Sequence, residues 1–378
     1  MILTDSQLLV RDTARDFARS RIVPASRTWE ESGSIPADVL CELGSLGFLG
    51  MTVPEEFGGA GLDYVSYALA LMEIAAGDGA LSTLMSVNNA PVCAILCTSG
   101  SELQKRRFLV QLARGEMIGA FALTEPQAGS DAANLRTRAR RTDGGYRIDG
   151  VKQFITSGAI AGVTITFAVT DVSLGKHGIS AFLVPAGTAG FSVSRLEAKM
   201  GQRASDTAQL NYVDAFVAEE LRIGLEGEGY RIALANLETG RIGIAAQSVG
   251  MAAAALELAS SYAREREAFG RPLTGHQAIA FRLADMATEL EAARQLVLHA
   301  ASLKDAGEPC LREACMAKLF ASETAERICS AAVQIHGGYG YVTDFPVEKI
   351  YRDVRVCQIY EGTSDIQRLL IARATAQA

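Results

Sequence analysis

The segment "VTITFAV" at residues 163–169 decides the fold, because it lies between two long helical parts of the chain. Apolar side chains alternate along it with small or hydroxylated ones: Val163, Ile165, Phe167 and Val169 against Thr164, Thr166 and Ala168. This period of two predicts a half-buried strand. Similar short segments, separated by glycine or polar turns, surround it from residue 116 to residue 225. We therefore expect an antiparallel β domain there.

On either side of this β domain, apolar side chains recur every three or four positions. That period is typical of helices. Three long helical segments rich in small residues follow the β domain, at 232–267, 274–307 and 311–338. The predicted fold class is α+β, with an N-terminal helical domain at 1–115, a central antiparallel β domain at 116–225 and a C-terminal four-helix bundle at 226–378.

One glycine-rich segment, "HGGYGY" at 336–341, could suggest a dinucleotide-binding turn. It closes a helix, however, whereas that turn must connect a strand to a helix. The chain also lacks the alternation of strands and helices that a Rossmann domain requires. We therefore expect Gly337 and Gly338 to form a helix C-cap, and any cofactor to be held in another way.

Composition excludes several classes of function. Hydrophobic residues make up 49% and charged residues 21%, and the net charge of −7 gives no basic surface for nucleic acid. Four arginines alternate along a predicted strand and indicate a solvated face: Arg136, Arg138, Arg140 and Arg141. No hydrophobic run is long enough to predict a membrane span.

Metal chemistry and secretion are also disfavoured. The seven cysteines form no CxxC pair, and the four histidines form no HExxH motif. Unpaired cysteines without a signal peptide predict a reducing interior, here the cytoplasm. The N-terminal segment at 1–23 contains Asp5, Asp12 and Asp16, so it predicts a first structural helix and no transit peptide.

The segment "QIYEGTSDIQR" at 358–368 contains the main candidate for chemistry, Glu361. Ser364 and Gln367 fit a capping box, which places Glu361 in the turn that leads into a helix. Gly362 supplies backbone freedom in that turn. A carboxylate there is either solvated or a base at the wall of a pocket.

Two segments together resemble a known family. "FALTEPQAGSDAANLRT" at 121–137 and "QIHGGYGYVTDFPVEKIYRDVRVCQIYEGTSDIQRLLIAR" at 334–373 closely resemble the two signature regions of acyl-CoA dehydrogenases. The resemblance covers essentially the whole chain and includes the helical, β, helical order. Asn134 departs from the smaller residue that is usual there. The resemblance implies a homotetramer with FAD that oxidises acyl-CoA to trans-2-enoyl-CoA and passes electrons to an electron-transfer flavoprotein.

The resemblance also implies where FAD binds. Within one subunit the matching residues are Phe121, Leu123, Thr124, Gly129, Ser130, Phe154, Ile155, Thr156, Thr363 and Asp365. A neighbouring subunit is expected to complete the site through Arg266, Phe269, Gln277, Gln334, Gly337 and Gly338. Ordinary structural roles remain open, such as a helix-surface ion pair for Arg266. Glu125 and Asp131 belong to the first motif, and we expect them to fix the loop.

By the same resemblance, Glu361 is the base that removes the α-proton, and its backbone N–H helps to stabilise the enolate oxygen. Burial should raise its pKa toward roughly 6–7, a range that suits a general base. Some relatives carry the base on an earlier helix, at the position that Gly240 occupies here. Glu238 is two residues from that register, and its simplest explanation is an ion pair with Arg241.

The expected substrate contacts, again by resemblance, are Ser130, Glu238, Gly240, Arg241, Gly362 and Arg373. "MSVNNAPV" at 85–92 matches the floor of the acyl cavity. Its "SVNN", together with "LETGRIGIA" at 237–245, looks most like the short-chain, butyryl-type members, so a short- or medium-chain acyl group, linear or branched, is expected. Other possibilities remain open: an acyl group tethered to a carrier protein, an oxidase that uses oxygen, or a non-catalytic assembly role. The retained Glu361 disfavours a flavin monooxygenase.

Overall fold

The computed structural model describes residues 2–377 and begins with a helical part. Its helices are α1 (Asp5–Phe17), α2 (Ser26–Ser32), α3 (Ala37–Ser45), α4 (Tyr64–Gly77), α5 (Gly79–Val87), α6 (Ala94–Ser99), α7 (Glu102–Gln104) and α8 (Val110–Ala113). Side chains at the helix starts explain several of these bounds. Thr4 and Gln7 form a capping box on α1, and Asp63 and Asp78 cap α4 and α5. The N-terminal segment is a structural helix, as the sequence predicts.

Strands follow in the central part of the chain. They are β1 (Gly119–Ala122), β2 (Arg138–Thr142), β3 (Gly145–Thr156), β4 (Val163–Val169), β5 (Ile179–Pro185), β6 (Phe191–Leu196), β7 (Thr207–Ala218) and β8 (Arg222–Ile223). The order in space is β6-β7-β3-β2-β4-β5-β8, with β1 also paired to β4. The arginines of β2 are exposed, and Arg140 and Arg141 pair with Asp149 and Glu219, so this face is solvated as expected.

The sheet is mixed, whereas the sequence suggested an antiparallel one. β1 runs parallel to β4, with Gly119 opposite Val163, and β2 meets β4 in parallel at Arg138 and Val169. Both strands share one edge of β4, while β5 pairs antiparallel along the other edge. A period of two places side chains on faces, but it carries no information about which neighbours a strand will have.

The strand that decides the fold is buried on both faces, so the half-buried prediction for β4 is wrong. Thr164 and Thr166 are as inaccessible as their apolar neighbours. The Thr166 hydroxyl lies 2.8 Å from the Tyr212 hydroxyl on β7, which satisfies its hydrogen bonding inside the core. Helical residues such as Leu112 and Ile232 belong to the same hydrophobic cluster as the strand. A hydroxylated face can therefore be a core face when a partner is available.

Helices return in the last part of the chain. They are α9 (Gly229–Glu265), α10 (Gln277–Asp305), α11 (Leu311–His336), α12 (Val347–Val354) and α13 (Ser364–Gln377), with a short hairpin of β9 (Glu267–Ala268) and β10 (Arg271–Pro272). α9, α10 and α11 pack against one another, and α13 packs on α11. Gly337 ends α11 with a φ of 61°, as expected for a C-cap glycine.

Two helical stretches, Gly79–Ser99 and Gly229–Glu265, are long and apolar enough to cross a membrane by length and composition alone, although the sequence analysis identified no such run. The most apolar windows of these stretches are 83% and 72% buried inside the protein. Their apolar character is therefore accounted for by packing in the core.

Candidate active site

The turn before α13 contains Glu361 in an unusual backbone conformation. Glu361 has a φ of 52° and Gly362 a φ of 92°, so two successive residues are left-handed. The region is easy for glycine, but for a residue with a side chain it costs on the order of 1–3 kcal/mol. Such a conformation persists only where the surrounding structure holds it.

Two side chains hold this turn. The Gln367 amide donates to the carbonyl oxygens of Glu361 and Gly362, at 3.3 and 2.9 Å. The Lys318 ammonium, from α11, donates to the same Gly362 carbonyl at 2.7 Å. Both side chains are fully buried. The turn is therefore fixed from its C-terminal side by groups that water does not reach.

The predicted capping box at Ser364 is wrong. The side chain that caps α13 is Thr363, whose hydroxyl accepts a hydrogen bond from the Ile366 N–H at 3.4 Å. Ser364 is the first residue of the helix, and its buried hydroxyl has no partner among the described residues. Because the helix starts one residue beyond Thr363, Gln367 reaches the preceding turn and does not complete the box.

The Glu361 carboxylate faces Gly240 of α9. A Cβ atom added at Gly240 would lie 1.9 Å from the Oε2 atom of Glu361. Oε2 is buried and has no hydrogen-bond partner among the described residues. Burial raises the pKa of Glu361 to about 7, while the positive charges of Lys318 and Arg241 lower it. The earlier-helix position and the C-terminal turn thus converge on the same point, and only the turn offers a carboxylate there.

Other walls of this site come from α4, α5 and α9. The Tyr67 and Ser86 hydroxyls are buried, lie 3.3 Å apart, and both approach Gly243 one turn along from Gly240. Burial raises the pKa of Tyr67, and so does the nearby charge of Glu361. Ser86 therefore connects the predicted acyl floor at 85–92 to the site.

The asparagines of that floor segment have a different task. The Asn88 amide donates to the Leu49 carbonyl at 2.8 Å, and its carbonyl oxygen accepts from the Gly119 N–H at 3.0 Å. Asn89 likewise bonds the backbone of Phe48 and Met51. Both side chains use their hydrogen-bonding groups on backbone atoms of neighbouring segments. They therefore hold the floor segment in position and are not available to bind a ligand.

Arg241 lies close enough to Glu361 for its charge to lower the pKa of that carboxylate, whereas Glu238 pairs with a residue of α10. Arg241 is only 5% exposed, and its Nε atom has no hydrogen-bond partner among the described residues. Glu238 pairs with Lys304 of α10 at 3.0 Å, so the expected ion pair with Arg241 is wrong. Thr239, between them, lines a cavity of about 440 Å³. Arg373 is exposed farther along α13.

The first motif forms a loop fixed by a buried carboxylate. Glu125 pairs with the fully buried Lys152 at 2.8 Å and accepts from the N–H groups of Arg136 and Thr137. Lys152 also donates to the Leu123 carbonyl at 3.0 Å. Glu125 therefore has the expected loop-fixing role, while Asp131 is exposed.

The residues expected to contact the cofactor within one subunit surround this loop. The Thr124 carbonyl accepts from the Gln153 N–H at 2.9 Å, which joins the loop to β3. At Phe154, beside a bulge in β3, φ is 59° and the ring is 61% exposed. Ile155 is buried beneath it, and Thr156 is half-buried. Phe121 is half-buried on β1, Gly129 and Ser130 are exposed, and a Cβ at Gly129 would meet no atom within 4 Å.

The residues expected to serve a neighbouring subunit form a second group, on the surface of the C-terminal part. Phe269 is 97% exposed at the tip of the β9–β10 hairpin, with a φ of 52°. Arg266 lies over the Tyr339 ring, 5.9 Å from its centroid, and Gln277 and Gln334 are exposed. A Cβ atom at Gly337 or Gly338 would meet no other atom within 4 Å. Among the described residues, no hydrogen bond or ion pair joins this group to the loop of the first motif.

Comparison with known proteins agrees with this architecture. Family models match three successive parts of the chain: the acyl-CoA dehydrogenase N-terminal domain at residues 4–116, its middle domain at 120–215 and its C-terminal domain at 227–376. The chain belongs to the acyl-CoA dehydrogenase family. This confirms the predicted family and the predicted enzyme class, a flavoprotein oxidoreductase.

Individual acyl-CoA dehydrogenases are similar over nearly their whole length. The mitochondrial short-chain specific acyl-CoA dehydrogenase of Rattus norvegicus is 46% identical over 370 residues, which cover 98% of this chain and 90% of the relative. The butyryl-CoA dehydrogenase of Megasphaera elsdenii has a TM-score of 0.96 and 41% identity, covering 100% of this chain and 99% of the relative. A chain solved in work on the electron transferring flavoprotein of Acidaminococcus fermentans has a TM-score of 0.99 and 42% identity, with both chains covered completely.

Several residues that shape this site were not identified from sequence, above all Lys318 and Gln367. A signal for Lys318 was present. It occupies a helical face whose other members, Ala314, Ala321 and Ala325, are all buried, and a lysine on such a face requires a reason. Gln367 gave a misleading signal, because its spacing from Ser364 fits a capping box.

Proposed function

We propose that this protein dehydrogenates a short-chain acyl-CoA between the α- and β-carbons, with Glu361 as the base. The observation that carries the proposal is the Oε2 atom of Glu361, which is buried, has no hydrogen-bond partner among the described residues and faces the gap at Gly240. Its pKa of about 7 suits a group that must accept a proton from a weak carbon acid near neutral pH. A flavin held at this site would supply the acceptor for the hydride of the β-carbon.

The chain's own groups supply the rest of the chemistry. A developing enolate oxygen needs hydrogen-bond donors held in place before the reaction. In this proposal the backbone N–H of Glu361 is one such donor, in the same rigid turn as the carboxylate. The bonds from Lys318 and Gln367 keep base and donor in a fixed relation. A buried site also excludes water, which strengthens both interactions.

The cofactor in this proposal is FAD, held by the loop of the first motif and by Phe154. The exposed Phe154 ring, in a strained conformation, fits a flat ring system that packs against it, and the free space at Gly129 leaves room beside the loop. The exposed group around Phe269 and Arg266 fits the completion of a second subunit's FAD site. A homotetramer accounts for both, and an electron-transfer flavoprotein is the proposed electron acceptor.

The decisive experiment is anaerobic mixing of the purified flavoprotein with propionyl-, butyryl-, isobutyryl- and octanoyl-CoA while the flavin absorbance is followed. We expect rapid bleaching with the short chains. Glu361→Gln should retain FAD and reduce flavin at least ~10²-fold more slowly. The matched control is Glu323→Gln, which makes the same substitution on α11, where Glu323 pairs with Arg368. Its rate of flavin reduction should equal that of wild type.

Other outcomes separate the alternatives. A Glu361→Gln variant with nearly full activity overturns the role of the base. No bleaching with any acyl-CoA, in a protein that holds FAD, favours an acyl group tethered to a carrier protein or a non-catalytic role. Rapid reoxidation of the reduced flavin by oxygen in place of the flavoprotein acceptor identifies an oxidase.

A further inference from the structure

Lys318 differs from the other deeply buried lysines of this protein. The ammonium of Lys152 pairs with Glu125 at 2.8 Å, and that of Lys349 pairs with Asp78 at 2.9 Å and with Asp353 at 2.7 Å. Lys318 is 0% exposed, yet among the described residues no carboxylate lies within 4.0 Å of its ammonium. Burial of a charge without an ion pair is costly, so another function must account for this lysine.

Its hydrogen bond goes to the residue directly after the base. The ammonium donates to the Gly362 carbonyl at 2.7 Å, and the Gln367 amide donates to the same oxygen at 2.9 Å. This carbonyl lies in the peptide plane between Gly362 and Thr363, so its orientation fixes the backbone of the residue that follows Glu361. Because Glu361 and Gly362 are both left-handed, a turn released from these donors has lower-energy conformations to adopt.

The charged surroundings favour an effect on the base as well. Groups whose charges act on Lys318 are the Cys315 and Cys357 thiols, Arg241 and Glu361. Around Glu361 they are Arg241 from α9, Tyr67 from α4 and Lys318 from α11. Burial raises the pKa values of both thiols, which leaves Glu361 as the acid of this set that ionises near neutral pH. Burial also lowers the pKa of Lys318 to about 8, so the amine is still mostly charged at pH 7.

We propose that Lys318 is a positioning residue for the dehydrogenation. Its ammonium clamps the Gly362 carbonyl, which keeps the left-handed turn aimed so that the Glu361 carboxylate lies in the gap at Gly240. Its positive charge also favours the ionised form of the base. The inference rests on the proposed role of Glu361, and it assigns to Lys318 no contact with the substrate.

Three variants of the flavin-loaded enzyme separate the hydrogen bond from the charge. Lys318→Met removes both. Gln367→Met removes a neutral donor that bonds the Gly362 carbonyl and the Glu361 carbonyl, and it leaves the charge of Lys318 in place. Gln358→Met is the matched control, because the Gln358 amide bonds two groups of α11, the Ser322 carbonyl at 3.4 Å and the Glu326 carboxylate, and among the described residues no hydrogen bond joins it to the turn at Glu361 and Gly362. Each is compared with wild type in anaerobic stopped-flow reduction by butyryl-CoA from pH 5.5 to 9.5.

For Lys318→Met we expect flavin reduction to slow about tenfold or more, since small misplacements of a catalytic group are expensive. The rising limb of its pH profile should also move to higher pH by roughly one unit, because a nearby positive charge is lost. Gln367→Met should slow the reaction and leave the limb in place. The control should match wild type in both respects.

If Lys318→Met reduces its flavin at the wild-type rate and with the wild-type pH profile, the inference is overturned. An inactive Glu361→Gln would still support the role of Glu361 as the base. A slower reaction with an unmoved limb overturns the charge component. If Lys318→Met does not fold with flavin, Lys318→Gln decides instead, and an unmoved limb there has the same meaning. A wild-type enzyme that no acyl-CoA reduces refutes the proposed function itself.

Discussion

Gly240→Ala should inactivate this enzyme without weakening its fold. The added Cβ would lie 1.9 Å from the Oε2 atom of Glu361, 2.7 Å from its Cδ and 3.1 Å from its Oε1. To reach ordinary contact the carboxylate must retreat by about 1.5 Å. The displaced atoms end a side chain, so the helix and the turn can keep their positions. Alanine also has the higher helix propensity, worth up to about 1 kcal/mol.

Activity should respond very differently from stability. A misplacement of about 1 Å can cost a reaction ~10²-fold, which corresponds to about 2.7 kcal/mol in the barrier. We therefore expect anaerobic flavin reduction by butyryl-CoA to slow by about that factor, with FAD content and the urea unfolding midpoint equal to or above those of wild type. An alanine variant that reduces its flavin at the wild-type rate would refute the reasoning.

A double-mutant cycle tests whether the loss passes through Glu361. In the Glu361→Gln background the base is already absent, so the addition of Gly240→Ala should change the residual rate little. Independent, multiplicative losses would instead mean that the alanine obstructs the substrate and leaves the base in place.

Three further results are expected. The rate of flavin reduction should rise with pH up to about 7 and then become constant. Burial raises the pKa of Glu361 to about 7, and only the ionised form accepts a proton. A rate that does not change from pH 5 to 9 contradicts this expectation. Since the pKa of Glu361 is higher in the folded than in the unfolded state, the wild-type enzyme should lose stability as pH rises from about 4.5 to 7. Glu361→Gln should therefore be more stable at pH 8 by up to about 3 kcal/mol, and the urea midpoints of the two proteins should coincide near pH 4.5. Lys152→Met should destabilise the protein by about 3–5 kcal/mol and weaken flavin binding, because it leaves Glu125 buried without its partner. The double variant Lys152→Met/Glu125→Gln should recover part of the lost stability. Thermal unfolding and FAD retention measure both effects.

Prediction from sequence was most successful where the information is local. Hydrophobic periods and turn residues predict the succession of helices, strands and helices that the structure contains. Glycine at the end of α11 was correctly assigned to a cap. These features depend on neighbours a few positions away, which the sequence displays directly.

It was less successful where two local explanations compete. The hydroxyls of β4 suggested a solvated face, but Tyr212 on β7 provides a buried partner. Gln367 had the spacing of a capping box, but its amide bonds the turn that holds Glu361. In both cases the deciding partner lies on another element or on another side of the turn. Local propensity gives way to such contacts because an unsatisfied buried polar group costs more than most propensities contribute.

By itself the sequence determined the family, the order of the three parts and the position of the candidate base in its turn. Only the tertiary structure decided that Gly240 of α9 faces the Glu361 carboxylate and that Lys318 of α11 clamps the adjoining carbonyl. The physical reason is that the pKa and the aim of a carboxylate depend on burial and on charges a few ångströms away. Those neighbours come from helices far apart along the chain, and no pattern within one helix specifies what packs against it.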